Sequence, residues 1–288
     1  MQNKIILGTA QFSNNYGITN KQKLTKININ EIIKEARNFQ VNMIDTAPDY
    51  KDVERKLGLH NLLNFKIISK ISLIDKNIPL DIKKVENNIL SSLKNLRLKK
   101  LYAILVRNPL NILKNKPLLN KIFSLKEKGL IEKLGFTLYN PDELDKLYDL
   151  LKPDIVQIPH SIIDNRFDKK GWINKMYEDN VEIHVRSVFL QGVLTEDFKN
   201  LPNFFLQFKE YFFKFDSWLE ENKISKLEAC LNHSIKDNRI SKIVVGINSK
   251  KNLKEVLRVK YLKKLEFPVW LSSNDKNLIM PSRWKVSN

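Results

Sequence analysis

A chain of 288 residues with 42% hydrophobic side chains can bury one large core, and 28% charged residues exclude a disordered, weakly hydrophobic chain. The formal net charge of +18 raises nucleic acid and anionic membranes as partners, but the lysines alternate with Asn and Ile throughout, as over 21–30 and 111–121, and no nucleic-acid motif accompanies them; they read as a solvated surface, so neither partner is expected. No apolar run reaches the roughly 18 residues of a membrane span, the start Met1-Gln2-Asn3-Lys4 lacks a signal-peptide pattern, and the single cysteine, Cys230, rules out an internal disulfide; a cytoplasmic protein is expected.

Short apolar runs predict strands at Ile5 to Leu7, Val41 to Ile44, Phe65 to Ser69 and Leu101 to Val106, then at Leu134 to Phe136, Ile155 to Ile158, Val181 to Val185 and Ile243 to Val245. Helical spacing fills the gaps, as in Ile82, Val85, Ile89, Leu93 and Leu96 with Asp81 as N-cap, and in Pro141-Asp142-Glu143 opening a helix after Asn140. Strands alternating with helices imply parallel βαβ units, and eight of them match an α/β fold of the (β/α)8 TIM barrel type. The beat breaks between Gln191 and about Asn222, where Phe204, Phe205, Phe208, Phe212, Phe215 and Trp218 mark an insert that forms either a lid at the barrel mouth or an amphipathic helix packed on the barrel. The stretch 268–288 has no clear period and is expected to wrap the surface. No linker or repeat divides the chain, so residues 1–288 are expected to form one barrel domain.

Barrel enzymes keep their chemistry at the C-terminal ends of the strands. Asp45 follows the second apolar run, Tyr50 lies on the loop behind it, and Lys70 ends the third. A Lys beside a Tyr favours phenolate and lowers the tyrosine pKa toward a general-acid range, with Asp45 holding the Lys. Plain readings stand beside this one: Asp45 as a helix cap, Tyr50 as a surface aromatic, Lys70 as one of 50 basic residues. His160 follows a strand end and points to the pocket, His184 lies within strand seven facing inward or toward a helix, and His60 and His233 read as helix-surface or packing residues. No pair has zinc spacing and no acidic cluster suggests a hard cation, so no metal is expected. Gly8, Gly135 and Gly246 do not form a Rossmann fingerprint.

Gly8-Thr9-Ala10-Gln11 with Tyr16-Gly17-Ile18, then Asp45-Thr46-Ala47 through Tyr50 and Glu54 to Gly58, is similar to the N-terminal signature of the aldo/keto reductases. The resemblance continues through Lys70, Gly135 to Tyr139, Val156 to Pro159, Arg186 to Gly192 and Val245 to Ser249, over all eight predicted strands in order. It implies a catalytic set of Asp45, Tyr50 and Lys70, with Arg107 where relatives carry the fourth residue, a His. Arg107 keeps hydrogen-bond donors for a carbonyl oxygen but cannot relay a proton near neutrality, and its fork suits carboxylate or phosphate. The resemblance also implies a nicotinamide held by Gln157, Thr137, Arg186 and Ser187. Thr9, Gly246, Asn248, Ser249 and Asn252 are implied for the rest of the cofactor, with Lys250 and Lys251 favouring NADPH over NADH. Leu138, Asn248 and Val256 depart from the family pattern. The expected activity is NADPH-dependent reduction of a small aldehyde or ketone, a sugar or acidic carbonyl compound among them, with Tyr50 as proton donor. Arg107 favours the alternative, a nucleotide-binding barrel of little turnover that senses redox state or scaffolds a partner. Imine chemistry on Lys70 is a third reading, weakened by the neighbouring Asp45.

Overall fold

The computed structural model describes residues 4–13, 17–18, 25–72, 82–110 and 115–285; Tyr16 and the expected cap Asp81 lie outside them. Eight parallel strands close in chain order: β1 (Ile5–Gly8), β2 (Met43–Asp45), β3 (Lys66–Ser72), β4 (Leu101–Arg107), β5 (Ile131–Thr137), β6 (Ile155–Pro159), β7 (Glu182–Arg186) and β8 (Lys242–Gly246). The ring is sealed where Gly8 pairs with Gly246. These segments are apolar on both faces because one face fills the barrel and the other meets helices. Ile6, Met43, Ile68, Leu105 and Ile155 pack with one another as the interior cluster. Ile44, Ile67, Ile104 and Val156, one residue out of phase, join the larger cluster shared with the helices.

The helices are α1 (Lys26–Asn38), α2 (Val53–Leu57), α3 (Ile82–Leu96), α4 (Lys116–Glu127), α5 (Leu144–Leu147), α6 (Arg166–Lys169), α7 (Trp172–Glu178), α8 (Lys209–Glu221), α9 (Lys226–Ile235), α10 (Lys250–Arg258) and α11 (Lys276–Ile279). Helix α3 buries Val85, Ile89, Leu93 and Leu96, the stripe its spacing predicts. Asn140 caps the turn at Pro141–Glu143, and Glu143 returns a bond to the Asn140 N–H.

The insert resolves into packing. Phe205, Phe212, Phe215 and Trp218 are buried in a second apolar cluster, with Phe205 edge-on to Trp284 at 5.0 Å. Aromatics at helical spacing thus serve as core, each contributing area and ring geometry. The C-terminal stretch departs from expectation: it does not merely wrap the surface but buries Leu271, Leu278, Ile279 and Trp284 in the same cluster. Its short 3-10 turns and four-residue helix carry no long period, so its apolar role left no periodic trace. Cys230 is buried on α9. Among the described residues no helix is long and apolar enough to cross a membrane.

Candidate active site

Side chains two apart on a strand share a face, so the residue two positions past each interior side chain lines the top of the barrel. Met43 leads to Asp45, Ile68 to Lys70, Leu105 to Arg107 and Ile155 to Gln157. Ladder register sets several of them side by side: Arg107 pairs with Thr137, Thr137 with Gln157, and Pro159 with Arg186. The strand pattern therefore delivers the polar ring without help from the loops.

Lys70 and Asp45, each 4% exposed, form a buried ion pair, and Lys70 Nζ also donates to the Thr46 carbonyl at 3.1 Å. Gln157 Nε2 donates to the other Asp45 oxygen at 2.8 Å, and Thr137 Oγ1 donates to Gln157 Oε1 at 3.3 Å. Asp45 is thereby held from two sides, as a buried carboxylate must be. Burial pushes the Lys70 pKa down from its ordinary value while Asp45 works the other way.

Tyr50 is brought over this pair by the loop from β2. The Tyr50 N–H donates to the Ala47 carbonyl at 3.1 Å, and buried Glu54 on α2 accepts from Ser69 Oγ at 2.7 Å, tying the loop to the strand that carries Lys70. Gly58 then lets α2 lie against α3, since a Cβ there would sit 2.0 Å from the Asn95 carbonyl oxygen. Lys70 Nζ lies 5.5 Å and Arg107 Cζ 5.7 Å from the centre of the Tyr50 ring. The expected lowering of the phenol pKa is not found. Burial first, and then the Asp45 carboxylate, raise it well above its ordinary value, with Arg107 and Arg186 opposing. The lysine charge is met by Asp45, so the phenol gains little from it.

Arg107 does not point away. It lines the cavity beside Tyr50 and Lys70 and pairs with Asp49 on the β2 loop. Burial works against its charge, but Tyr50 and Asp49 outweigh that and hold its pKa above the arginine value. His160 lines neither cavity; its ring packs on that of His233 at 4.9 Å. Burial pushes the His160 pKa down to about 4. His184 is fully buried against Glu182, with Nε2 to Oε2 at 3.2 Å.

Two cavities open at this end of the barrel and meet at Tyr50, Gln157, Arg186, Ser187 and Gln191. The first, about 370 Å³, is a groove bounded by Thr9, Gln11, Gly246, Asn248, Asn252 and Glu255. The second, about 350 Å³, holds Lys70, Arg107, Thr137, Arg166 and the 279–282 segment. Ser187 and Gln191 on their shared rim, and buried Leu190 between them, have φ of 62°, 56° and 48°, left-handed values that cost energy for side chains other than glycine. Arg186 Nη2 donates to the Leu138 carbonyl at 2.9 Å, Nη1 to Ser187 Oγ at 3.2 Å, and its Cζ lies 4.4 Å over the Tyr139 ring.

Of the expected cofactor residues, Thr9, Gly246, Asn248 and Asn252 line the groove, whereas Ser249 does not. Ser249 is instead the N-cap of α10, accepting from the Asn252 N–H at 3.0 Å. The Thr9 hydroxyl donates to the Asp45 carbonyl at 2.9 Å. Gln11 and Arg166 line the cavities without having been assigned a role from sequence; Gln11 lay within the Gly8 to Gln11 motif, while nothing in the sequence singles out Arg166. Gln11 Oε1 is buried without a partner, and its amide lies where a Cβ on residue 246 would stand, 2.0 Å from Nε2, so glycine at 246 gives Gln11 its place on the groove. An unpartnered buried acceptor beside a capped helix start fits a ligand with donors and a phosphate, as a nicotinamide dinucleotide has. Among the described residues no three His, Cys, Asp or Glu side chains are grouped to hold a metal ion.

No curated protein sequence matches the chain. Solved structures do: the holo form of the aldo-keto reductase AKR11C1 from Bacillus halodurans is 14% identical with a TM-score of 0.73, covering 91% of this chain and 88% of that one. The glycerol dehydrogenase AKR11B4 from Gluconobacter oxydans is 17% identical with a TM-score of 0.69, covering 89% and 86%. At these identities the likeness speaks for the fold. The sequence profile described as the aldo/keto reductase family matches residues 4–268. The chain belongs to the aldo/keto reductase family, and with it to the NAD(P)H-dependent oxidoreductases that act on small carbonyl compounds.

Proposed function

We propose that this barrel, acting as one unit over residues 1–288, reduces a small aldehyde or ketone with NADPH, and that Tyr50 gives the proton to the carbonyl oxygen. The observation that carries this reading is the seat of Tyr50, which lines both cavities with two cations against its ring. NADPH supplies the hydride when bound. Gln157 and Thr137 would hold the carboxamide, with Arg186 and Ser187 beside them; Thr9, Asn248 and Asn252, with glycine at 246 and Ser249 fixing the start of α10, would hold the remainder. Hydride arrival at the carbonyl carbon leaves a strongly basic oxygen, so a phenol of raised pKa still gives up its proton, and at neutral pH it is always protonated and ready. Asp45 and Lys70 orient the site beneath it, and Arg107 offers donors to the developing oxyanion.

The preference for NADPH rests on Lys250 and Lys251 in the first turn of α10. They pair loosely with Glu35 at 3.6 Å and Glu255 at 3.9 Å. The Lys251 pair is exposed and contributes at most about 1 kcal/mol, and buried Glu35 keeps Lys254 at 3.3 Å when Lys250 leaves, so either lysine can turn to a phosphate dianion.

The test is cofactor oxidation with a panel of aldehydes and ketones. Wild type should turn over, and Tyr50→Phe should lower kcat by roughly a thousandfold, within the range for losing a general acid, while cofactor affinity is retained. Unchanged turnover in that variant discards the assignment of Tyr50. No oxidation with any carbonyl compound, but cofactor binding intact, transfers the case to the sensor or scaffold reading.

A further inference from the structure

We propose that the carbonyl substrate carries a compact anionic group, a carboxylate or a phosphate, anchored by Arg186 together with Arg166; this rests on the reductase reading above. The cavity beside Tyr50 is lined by Lys70, Arg107, Arg166 and Arg186, and among the described residues no Asp or Glu lines it. The adjoining groove, by contrast, has Asp45 and Glu255 in its wall.

The four cations differ in how their charge is met. Lys70 has Asp45 behind it, and Arg107 has Asp49. Arg166 is gripped by both oxygens of Asp164, Nε to Oδ1 at 2.8 Å and Nη2 to Oδ2 at 2.9 Å. Arg186 has only neutral partners among the described residues: a carbonyl, a hydroxyl and the face of Tyr139. Those contacts fix the guanidinium without neutralising it. A cation held rigid in a walled cavity, without a carboxylate, is most favourably completed by an anion that takes its fork in two bonds.

The far wall supports a small, partly apolar ligand. Ile279, Met280 and Pro281 add apolar surface to the same cavity, which lowers the local dielectric and strengthens charge recognition within. Positive charge on this side also assists the reaction, since negative charge develops on the carbonyl oxygen next to Tyr50.

The experiment compares matched pairs of substrates: 4-oxobutanoate with its methyl ester for the carboxylate, and glyceraldehyde 3-phosphate with glyceraldehyde for the phosphate. The anionic member of at least one pair should have a kcat/KM about thirtyfold higher, the scale of hydrogen bonds to a charged group, and the larger ratio names the anion. Arg186→Gln should lower that ratio about tenfold, through KM for the anionic member. Arg166→Lys serves as the second variant: it keeps a partner for buried Asp164 while losing the fork, and should lower the ratio as well. Ratios near one in wild type, with aldehydes still reduced, overturn the anion proposal and leave carbonyl reduction standing. If no carbonyl compound is reduced, the reductase reading fails, and calorimetry with 4-hydroxybutanoate and with inorganic phosphate decides the pocket: binding lost in Arg186→Gln upholds an anion site, and no binding overturns it.

Discussion

The two cavities share Tyr50 and Gln157 yet are built from different material. The groove draws on β1, β8 and the start of α10, where Gly8 pairs with Gly246 and the glycine at 246 leaves room for Gln11. The second cavity draws on long cationic side chains and on a chain end that returns from the opposite side of the sequence. The comparison teaches that the strand residues at the floor of both cavities are prescribed by barrel register, while the parts supplied by Arg166 and the 279–282 segment are free to vary with loops and termini, which is how one barrel supports many substrates.

The comparison is sharpened most by Arg107, which belongs to the second cavity alone. Arg107→Ala should lower kcat on every carbonyl substrate by about a hundredfold, the scale of one preorganised donor to an oxyanion, and Arg107→His should recover part of it. Its partner Asp49 is half exposed, so the loss of the pair leaves no buried charge behind and the variant should fold. If instead Arg107→Ala raises KM for anionic substrates only and spares neutral aldehydes, its role is recognition of the anion beside Arg186, and the oxyanion role is withdrawn.

The pH profile of kcat tests the ground that the two cavities share. A proton donor acts in its protonated form, so a raised phenol pKa moves any alkaline loss upward, beyond the ordinary tyrosine value of 10.0. The Lys70 pKa is pushed down by burial, so that lysine gives up its charge first as pH rises. An alkaline limb below 10, falling about tenfold per pH unit, should therefore belong to Lys70 and vanish in Lys70→Met. A limb that persists in Lys70→Met shows a lowered Tyr50 pKa and reverses the reading of burial over charge.

Much of this was legible in the sequence. All eight strands show as apolar runs, because a barrel strand is buried on both faces; only their ends blur. Strand β5 starts at Ile131, ahead of the run at Leu134 to Phe136, because Lys133 interrupts the apolar pattern while pairing with Glu182 at 2.5 Å. Asp45, Lys70, Arg107 and Gln157 are legible by alternation with interior residues. Two kinds of fact are not. The Tyr50 pKa is a contest between burial and neighbouring charges, and burial is a three-dimensional quantity. The arrival of Arg166 and the 279–282 segment at the cavity depends on chain segments too short to carry a period.

The groove carries the smallest expected effect, and it concerns the choice of cofactor. Lys250→Ala and Lys251→Ala should each narrow the preference for NADPH over NADH by roughly threefold, as befits single exposed charges near a phosphate, and the difference should shrink as salt is raised. Glu255 pulls the other way. Its carboxylate lines the groove and pairs with Lys251, so Glu255→Gln removes a repulsion and releases a cation together, and NADPH should gain over NADH. The measurement is the rise in melting temperature with each cofactor, which grows with affinity at fixed concentration. Equal rises for NADPH and NADH in wild type would remove the preference. A wild-type preference indifferent to all three substitutions would place the discriminating charge elsewhere on this face of the barrel, and the helix start would then hold only the phosphates that both cofactors share.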